Sequence, residues 1–216
     1  STTLRAAGAA AGVYADAKLI QRADYEVQTT DYPTAETALE ALVERCGGYF
    51  EYQETRSSAH PKKFLSGFKG CLHTDGYSSY GKLDSAIRRC GCWAHARRKF
   101  HEGTISIPAV ERKNSLSQTG LEYCDKLFAL EREYEKLTPE ERHAKRLQKS
   151  KPVTDAFFAW AASVRALPQS TLGKALHYAL EQRIFLETFY TDGRIEISNN
   201  RAERSIKPFV IGRKNW

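Results

Sequence analysis

Two acidic positions set among cations carry the chemistry open to this sequence. Ile197-Ser198-Asn199-Asn200-Arg201-Ala202-Glu203-Arg204 leads into Lys207-Pro208-Phe209-Val210-Ile211-Gly212-Arg213-Lys214-Asn215-Trp216, one carboxylate inside a dense run of positive charge. A hard oxygen ligand beside several phosphate binders is the composition of a metal-dependent phosphodiester site. Ser198 or Asn199 suits a helix N-cap, and on the helix that follows Asn199 and Glu203 stand four apart, as do Asn200 and Arg204, so each pair shares a face. An ordinary capped surface helix with solvated charge has the same composition. The second acidic position lies in Gly70-Cys71-Leu72-His73-Thr74-Asp75-Gly76-Tyr77, which reads as a strand. Alternation places Cys71, His73 and Asp75 on one face and Leu72 and Thr74 on the other, and Gly76 lets the backbone turn. A carboxylate at the C-terminal edge of a strand is placed to hold a metal, although Asp-Gly is also a common turn dipeptide.

Phosphodiesters explain why these residue types belong together. The bond is anionic, so a nucleophile is repelled and the leaving 3′ oxygen develops charge. Two metals about 3.5 to 4 Å apart answer both problems in an in-line displacement. Carboxylate oxygens suit Mg²⁺. Arg201, Arg204, Lys207, Arg213 and Lys214 are then expected to hold phosphates, with Arg97, Arg98 and Lys99 as a second patch, and none of them implies base-specific reading.

Several further stretches stand in a fixed order: Arg56-Ser57-Ser58-Ala59-His60-Pro61, Phe64-Leu65-Ser66-Gly67-Phe68-Lys69-Gly70, Thr74-Asp75-Gly76-Tyr77, Cys92-Trp93-Ala94-His95-Ala96-Arg97-Arg98-Lys99-Phe100, Asn199-Asn200 through Arg204, and Gly212-Arg213-Lys214-Asn215-Trp216. In this order they resemble the insertion sequence 66 family of bacterial transposases, from about Tyr49 to the last residue. The resemblance implies an RNase H-like catalytic domain of the DDE type, in which two Asp and one Glu hold two divalent ions, Mg²⁺ or Mn²⁺. It implies DNA as partner, both transposon ends and target, a homo-oligomeric synaptic complex, and strand cleavage followed by strand transfer. By motif position Asp75 is similar to the second Asp and Glu203 to the Glu. The family's opening Asp-Glu-Thr tripeptide does not occur; the nearest counterpart is Asp16, followed by Ala17 and Lys18, in a stretch from Gly12 to Ile20 that could form a strand. Asp24 and Asp31 are poorer candidates because neither follows an apolar run. His95 falls in a signature motif, where it could contact DNA or the carboxylates, with Asn199 and Asn200 beside Glu203. The missing tripeptide also admits another class of function, an inactive remnant that binds DNA without cutting.

The elements that must position these residues read as α/β, a mixed sheet flanked by helices. Residues 1–48 match the family poorly and hold a possible first strand, with Pro33 to Cys46 patterned as a helix. Residues 49–104 form the expected core: strand Tyr49 to Thr55, short helix His60 to Gly67, the Asp75 strand, helix Ser78 to Ile87, and strand Arg89 to Trp93. Residues 105–168 read as a helical insertion before the final catalytic helix, with a helix from Leu116 to Leu137 and another capped by Thr138 with Glu141 completing a capping box. Lys145, Arg146, Lys149 and Lys151 give it a basic, solvated end, and Phe157, Phe158 and Trp160 read as core rather than a stacking platform. Residues 169–216 return to the core through a helix from about Ser170 to Phe189.

Composition agrees with a basic nucleic-acid enzyme. The net charge of +7 favours a polyanionic partner. No apolar run approaches the roughly 20 residues that cross a bilayer, so a cytoplasmic protein is expected. Five cysteines without a secretory signal read as reduced thiols, and Cys90, Cys92 and His95 raise a zinc-stabilised module as a further possibility. With no Met and an end inside a motif at Trp216, the sequence is expected to be a piece of a longer protein.

Overall fold

The computed structural model describes residues 2–5, 19–21, 24–27, 59–74, 83 and 85–200. The chain divides into two compact units, Ser1–Arg89 with Ser198–Trp216, and Cys90–Ile197. Taken together the described residues are mixed α/β and mostly helical, with small sheets.

In the first unit, β1 (Thr2–Arg5) pairs antiparallel with β3 (Asp24–Val27), Leu4 opposite Tyr25. A three-stranded sheet has the order β2-β4-β5, formed by Leu19–Gln21, Gly70–Thr74 and Ile87–Gly91. β2 and β4 run parallel, with Ile20 beside Leu72 and Gln21 beside His73. Helix α1 (Ala59–Phe64) precedes β4, and the chain turns out of it through Gly67 at φ 76°, a left-handed conformation that glycine reaches without Cβ strain. Leu65, Leu72 and Ile87 are buried together, with Phe64, Phe68 and Leu83 packed against them. That cluster holds β4 in place.

The strand and helix boundaries around β5 differ from the sequence reading. Ser85 and Ala86 form a turn rather than the end of a helix, and Ile87 opens the strand. Ile87 and Cys90 are buried and Arg88 is exposed. The strand ends at Gly91, and Trp93 begins α2 (Trp93–Ile105) instead of ending β5. Trp93, Ala96 and Phe100 recur at helical spacing and none is exposed to solvent, which selects the helix. The expected strand at Tyr49 to Thr55 and helix at Pro33 to Cys46 lie outside the described residues.

The second unit is helical and is built on α2. Short α3 (Ala109–Arg112) leads to α4 (Leu116–Glu133), capped by the Ser115 side chain. α2 packs on α4 and on α7 (Thr171–Glu181). The α2–α4 approach is close because Gly120 lies against the Phe100 ring, where a Cβ would collide with it. α5 (Pro139–Lys145) starts with the expected capping box: Glu141 N donates to Thr138 Oγ1 at 3.2 Å and Thr138 N to Glu141 Oε2 at 2.9 Å. One π-turn, Arg146–Ser150, joins α5 to α6 (Lys151–Ser163). Phe157 and Phe158 are buried among Trp93, Phe100 and Tyr123, with Trp93 and Phe157 edge to face at 5.4 Å, so the aromatics are core, as the sequence suggests.

Two expectations fail in this unit. The helix expected from Ser170 to Phe189 breaks at Gln182, continues as α8 (Arg183–Leu186), and tightens into a 3₁₀ turn at Glu187–Tyr190. The Leu186 carbonyl is taken by the Trp93 indole N–H at 2.9 Å, away from the helical ladder. The basic stretch is solvated at Lys145, Lys149 and Lys151, as expected, but not at Arg146. Arg146 is completely buried, Lys151 pairs with Asp155, and Lys149 lies 3.7 Å from Glu133. The sequence does carry a signal for Arg146. The buried stripe Phe157, Val153 and Ser150 continues backward through that position.

Candidate functional site

β4 delivers the chain to Asp75. The strand runs Gly70–Thr74 and its last three residues, Leu72, His73 and Thr74, are buried. Asp75 follows Thr74 directly and itself lies outside the described residues, as do Asp16, Glu203, Arg201, Arg204, Lys207, Arg213 and Lys214. Among the described residues no group of three His, Cys, Asp or Glu side chains could hold a metal. Cys90, Cys92 and His95 are all described, so they do not by themselves form a zinc centre; Cys90 sits on β5 and Cys92 at the start of α2, both buried.

The Asn199-Asn200 end is partly visible. Ser198 and Asn199 are buried, and Asn200 is helical, which puts Asn199 at the position expected of a cap. The approach to it is a strap, residues 187–197, irregular after its opening 3₁₀ turn and fastened at several points inside the helical unit. Trp93 N donates to Ile197 O at 3.1 Å. Arg146 Nη1 donates to Phe189 O at 2.9 Å and to Asp192 O at 3.3 Å. Arg146 Nε and Nη2 donate to the two oxygens of Glu131 at 2.8 and 2.7 Å, and its guanidinium lies 5.0 Å from the Phe189 ring centroid. Thr154 and Tyr190 share a 2.8 Å hydrogen bond between hydroxyls. Gly193 lies so close to Pro139 that a Cβ would strike the Pro139 carbonyl oxygen. Hydrogen bonds from Arg194 hold the Asp192 carboxyl below its usual pKa, and burial pushes the Tyr190 phenol well up. The fastenings that cross between elements are not legible in the sequence, since they join positions far apart along the chain.

The signature run on α2 divides its side chains around the helix. His95 is half-buried. Arg97 is engaged by Asp125 on α4 in an ion pair at 2.5 Å. Arg98 is exposed, and Lys99 lies with its Nζ 4.9 Å from the Tyr178 ring centroid. Three consecutive helical residues point about 100° apart. Among the described residues no helix is long and apolar enough to cross a membrane.

Comparison with known proteins places these features in a lineage. The Transposase IS66 family matches residues 26–216. The uncharacterized protein y4hP of Sinorhizobium fredii is 35% identical over 176 residues, covering 74% of this chain and 32% of that protein. The uncharacterized protein y4qI of the same organism is 34% identical over 178 residues, covering 77% and 32%. The chain therefore spans about a third of the length of the curated relatives it matches. No solved structure matches it. The family match covers most of the sequence and both acidic motifs around Asp75 and Glu203, and the chain belongs to the IS66 family of transposases.

Proposed function

We propose that this chain is the catalytic part of a DNA transposase, which cuts phosphodiester bonds at the ends of a bacterial insertion sequence and joins the freed 3′ hydroxyl to target DNA. The observation that carries the reading is family membership over residues 26–216, which takes in both Asp75 and Glu203. It is supported by β4, which ends one residue before Asp75, and by the parallel β2–β4 pair, the kind of strand pairing an RNase H-like core uses. The domain order of the proposal is an N-terminal segment to residue 48, a core over 49–104, a helical insertion over 105–168, and a return to the core over 169–216.

Asp75, Glu203 and Asp16 are the proposed carboxylates. Their hard oxygen donors fit Mg²⁺ or Mn²⁺, two ions in all, which when bound would stabilise charge on the attacking and leaving oxygens. The chain's own part is to hold the anionic backbone. Arg201, Arg204, Lys207, Arg213 and Lys214 bind phosphate, with Arg97, Arg98 and Lys99 more weakly placed because Arg97 is already paired. His95, Asn199 and Asn200 orient the carboxylates. The protein acts in the cytoplasm as a homo-oligomer that brings two DNA ends together.

A second reading, a remnant that binds DNA without cutting it, is favoured by two observations. The family match begins at residue 26, after Asp16. Asp16 is also followed by Ala17 and Lys18, not by the Glu and Thr of the family's opening tripeptide. Calorimetric titration of Mn²⁺ into the wild type and into Asp16→Asn, Asp24→Asn, Asp75→Asn and Glu203→Gln separates the readings. The transposase reading expects binding to be lost with Asp75→Asn, with Glu203→Gln and with one of the other two, and Glu203→Gln to abolish cleavage while DNA affinity stays. Loss with Asp75→Asn and Glu203→Gln alone selects the remnant.

A further inference from the structure

α3 buries none of its residues. α5 buries none either, but its sequence, Pro139-Glu140-Glu141-Arg142-His143-Ala144-Lys145, is suited to water. Ile105-Ser106-Ile107-Pro108-Ala109-Val110, which leads into α3 and opens it, carries no charge at all. Val110 is 89% exposed, and Ile105 before it and Leu116 after it are exposed as well. Contacts inside the helical unit gather these residues at one end. Arg112 Nε donates to Ile107 O at 3.1 Å and its Nη2 to Ile105 O at 3.3 Å, which holds α3 against the end of α2. α4 begins beside them, since a Cβ at Gly103 would strike the side chain of Ser117, the neighbour of Leu116. The connection from α6 to α7 arrives at the same place: the Ser106 and Thr171 hydroxyls share a 3.0 Å hydrogen bond, and Leu167 O accepts from Ser170 N at 3.0 Å. Leu167 is 78% exposed. Three connections thus bring Ile105, Val110, Leu116 and Leu167 to one apolar end of the unit.

Exposed apolar surface gathered in one place marks an interaction site. Its rim decides the partner, because Glu102, Glu111, Lys113 and Arg165 are all exposed there and carry both signs. Nucleic acid is repelled by the two acids, and an anionic membrane selects a basic rim. A second copy turned about a two-fold axis sets the same acids and bases against each other, so the rim is complementary to itself. We propose that this end of the helical unit is the surface by which two copies of the chain associate, with Ile105, Val110, Leu116 and Leu167 as its apolar centre. That contact rests on the homo-oligomer of the proposed function, not on its chemistry, and gives the homo-oligomer a place on the molecule.

The test is sedimentation equilibrium of the full chain, under reducing conditions because the Cys71 thiol is partly exposed. A monomer–dimer equilibrium is expected between roughly 1 and 100 µM, the weak range open to a small interface. Val110→Asp and Leu167→Asp put a charge in the apolar centre, and each is expected to raise the dimer Kd at least about tenfold. Ile184 is 77% exposed on α8, beyond the other end of α7, so Ile184→Asp should leave the dimer unchanged. All three positions are exposed, and the variants are expected to keep the thermal midpoint of the wild-type monomer. A chain that stays monomeric over this range overturns the proposal in favour of another occupant. A dimer that Val110→Asp and Leu167→Asp leave intact, or that Ile184→Asp weakens equally, overturns it too. Mn²⁺ titration is read separately: absence of binding to the wild type ends the transposase reading and leaves the dimer standing, whereas a monomer that binds Mn²⁺ ends only the dimer.

Discussion

The indole of Trp93 donates to the Leu186 carbonyl at 2.9 Å, while the main chain of the same residue binds Ile197. One residue at the start of α2 therefore fastens both ends of the stretch that follows α7. Trp93→Phe keeps most of the apolar bulk but leaves a buried carbonyl without its donor, and is expected to lose about 1–3 kcal/mol of stability in urea unfolding. Trp93→Ala should lose about 3–5 kcal/mol. Equal stability of Trp93→Phe and the wild type would mean that water replaces the indole N–H.

The Arg146–Glu131 pair should show a strong asymmetry between single and double replacement. Arg146→Met strands Glu131 in a site where its side chain is only 13% exposed, with an expected loss of about 3–5 kcal/mol. Replacing Glu131 by Leu in the same protein removes the stranded charge. The double variant should recover a large part of the loss in chemical denaturation, and additive losses would contradict a buried, mutually dependent pair.

Alkali should weaken the helical unit. Burial pushes the Cys124 thiol up to about 12 from 9.0, so the folded protein holds this proton where the unfolded chain releases it. Stability from this group is complete below pH 9 and is lost as pH rises toward 12. The buried Tyr190 phenol, also raised, acts in the same direction. Thermal midpoints are expected to fall across this range, and to fall less steeply in Cys124→Ala. An identical slope in that variant would assign the loss to other groups.

Salt dependence should rank the cations on DNA. Changing Arg213 and Lys214 to Ala is expected to reduce the slope of log affinity against log salt by about one unit for each phosphate that the variant no longer neutralises. Arg97→Ala should change it less, since Asp125 already offsets that charge. Equal effects from Arg97 and Arg213 would mean that the Asp125 pair opens when DNA binds.

Local patterns are readable where neighbours along the chain decide the structure. Thr138 and Glu141 are three apart, so their capping box can be read directly, as can the strand at Gly70 and the helix after Ser115. Phe157 and Phe158 read as core despite the basic run before them, and both are buried. The misreadings are tertiary. Cys90-Gly91-Cys92 makes Trp93 look like the end of a strand, but its helical partners Ala96 and Phe100 lie downstream. Arg146 stands among basic neighbours in the sequence, and only the fold brings it to Glu131 and to the Phe189 carbonyl. The candidate site is legible as a set of motifs, and the strap leading to it is not, since main-chain carbonyls leave no mark on a sequence.

The first unit is composed of two stretches, one ending at Arg89 and one starting at Ser198, with the whole helical unit between them. That arrangement imposes an order on biosynthesis. When Asp75 leaves the ribosome the stretch containing Glu203 has not been made, so the first unit waits incomplete while the helices are synthesised. Helical hydrogen bonds join near neighbours, so the individual helices can form early. Once folded, with Trp93 bound to Ile197, they turn a long floppy connection into a short closed one. The entropy of bringing the two distant stretches together is then largely met before the second of them emerges.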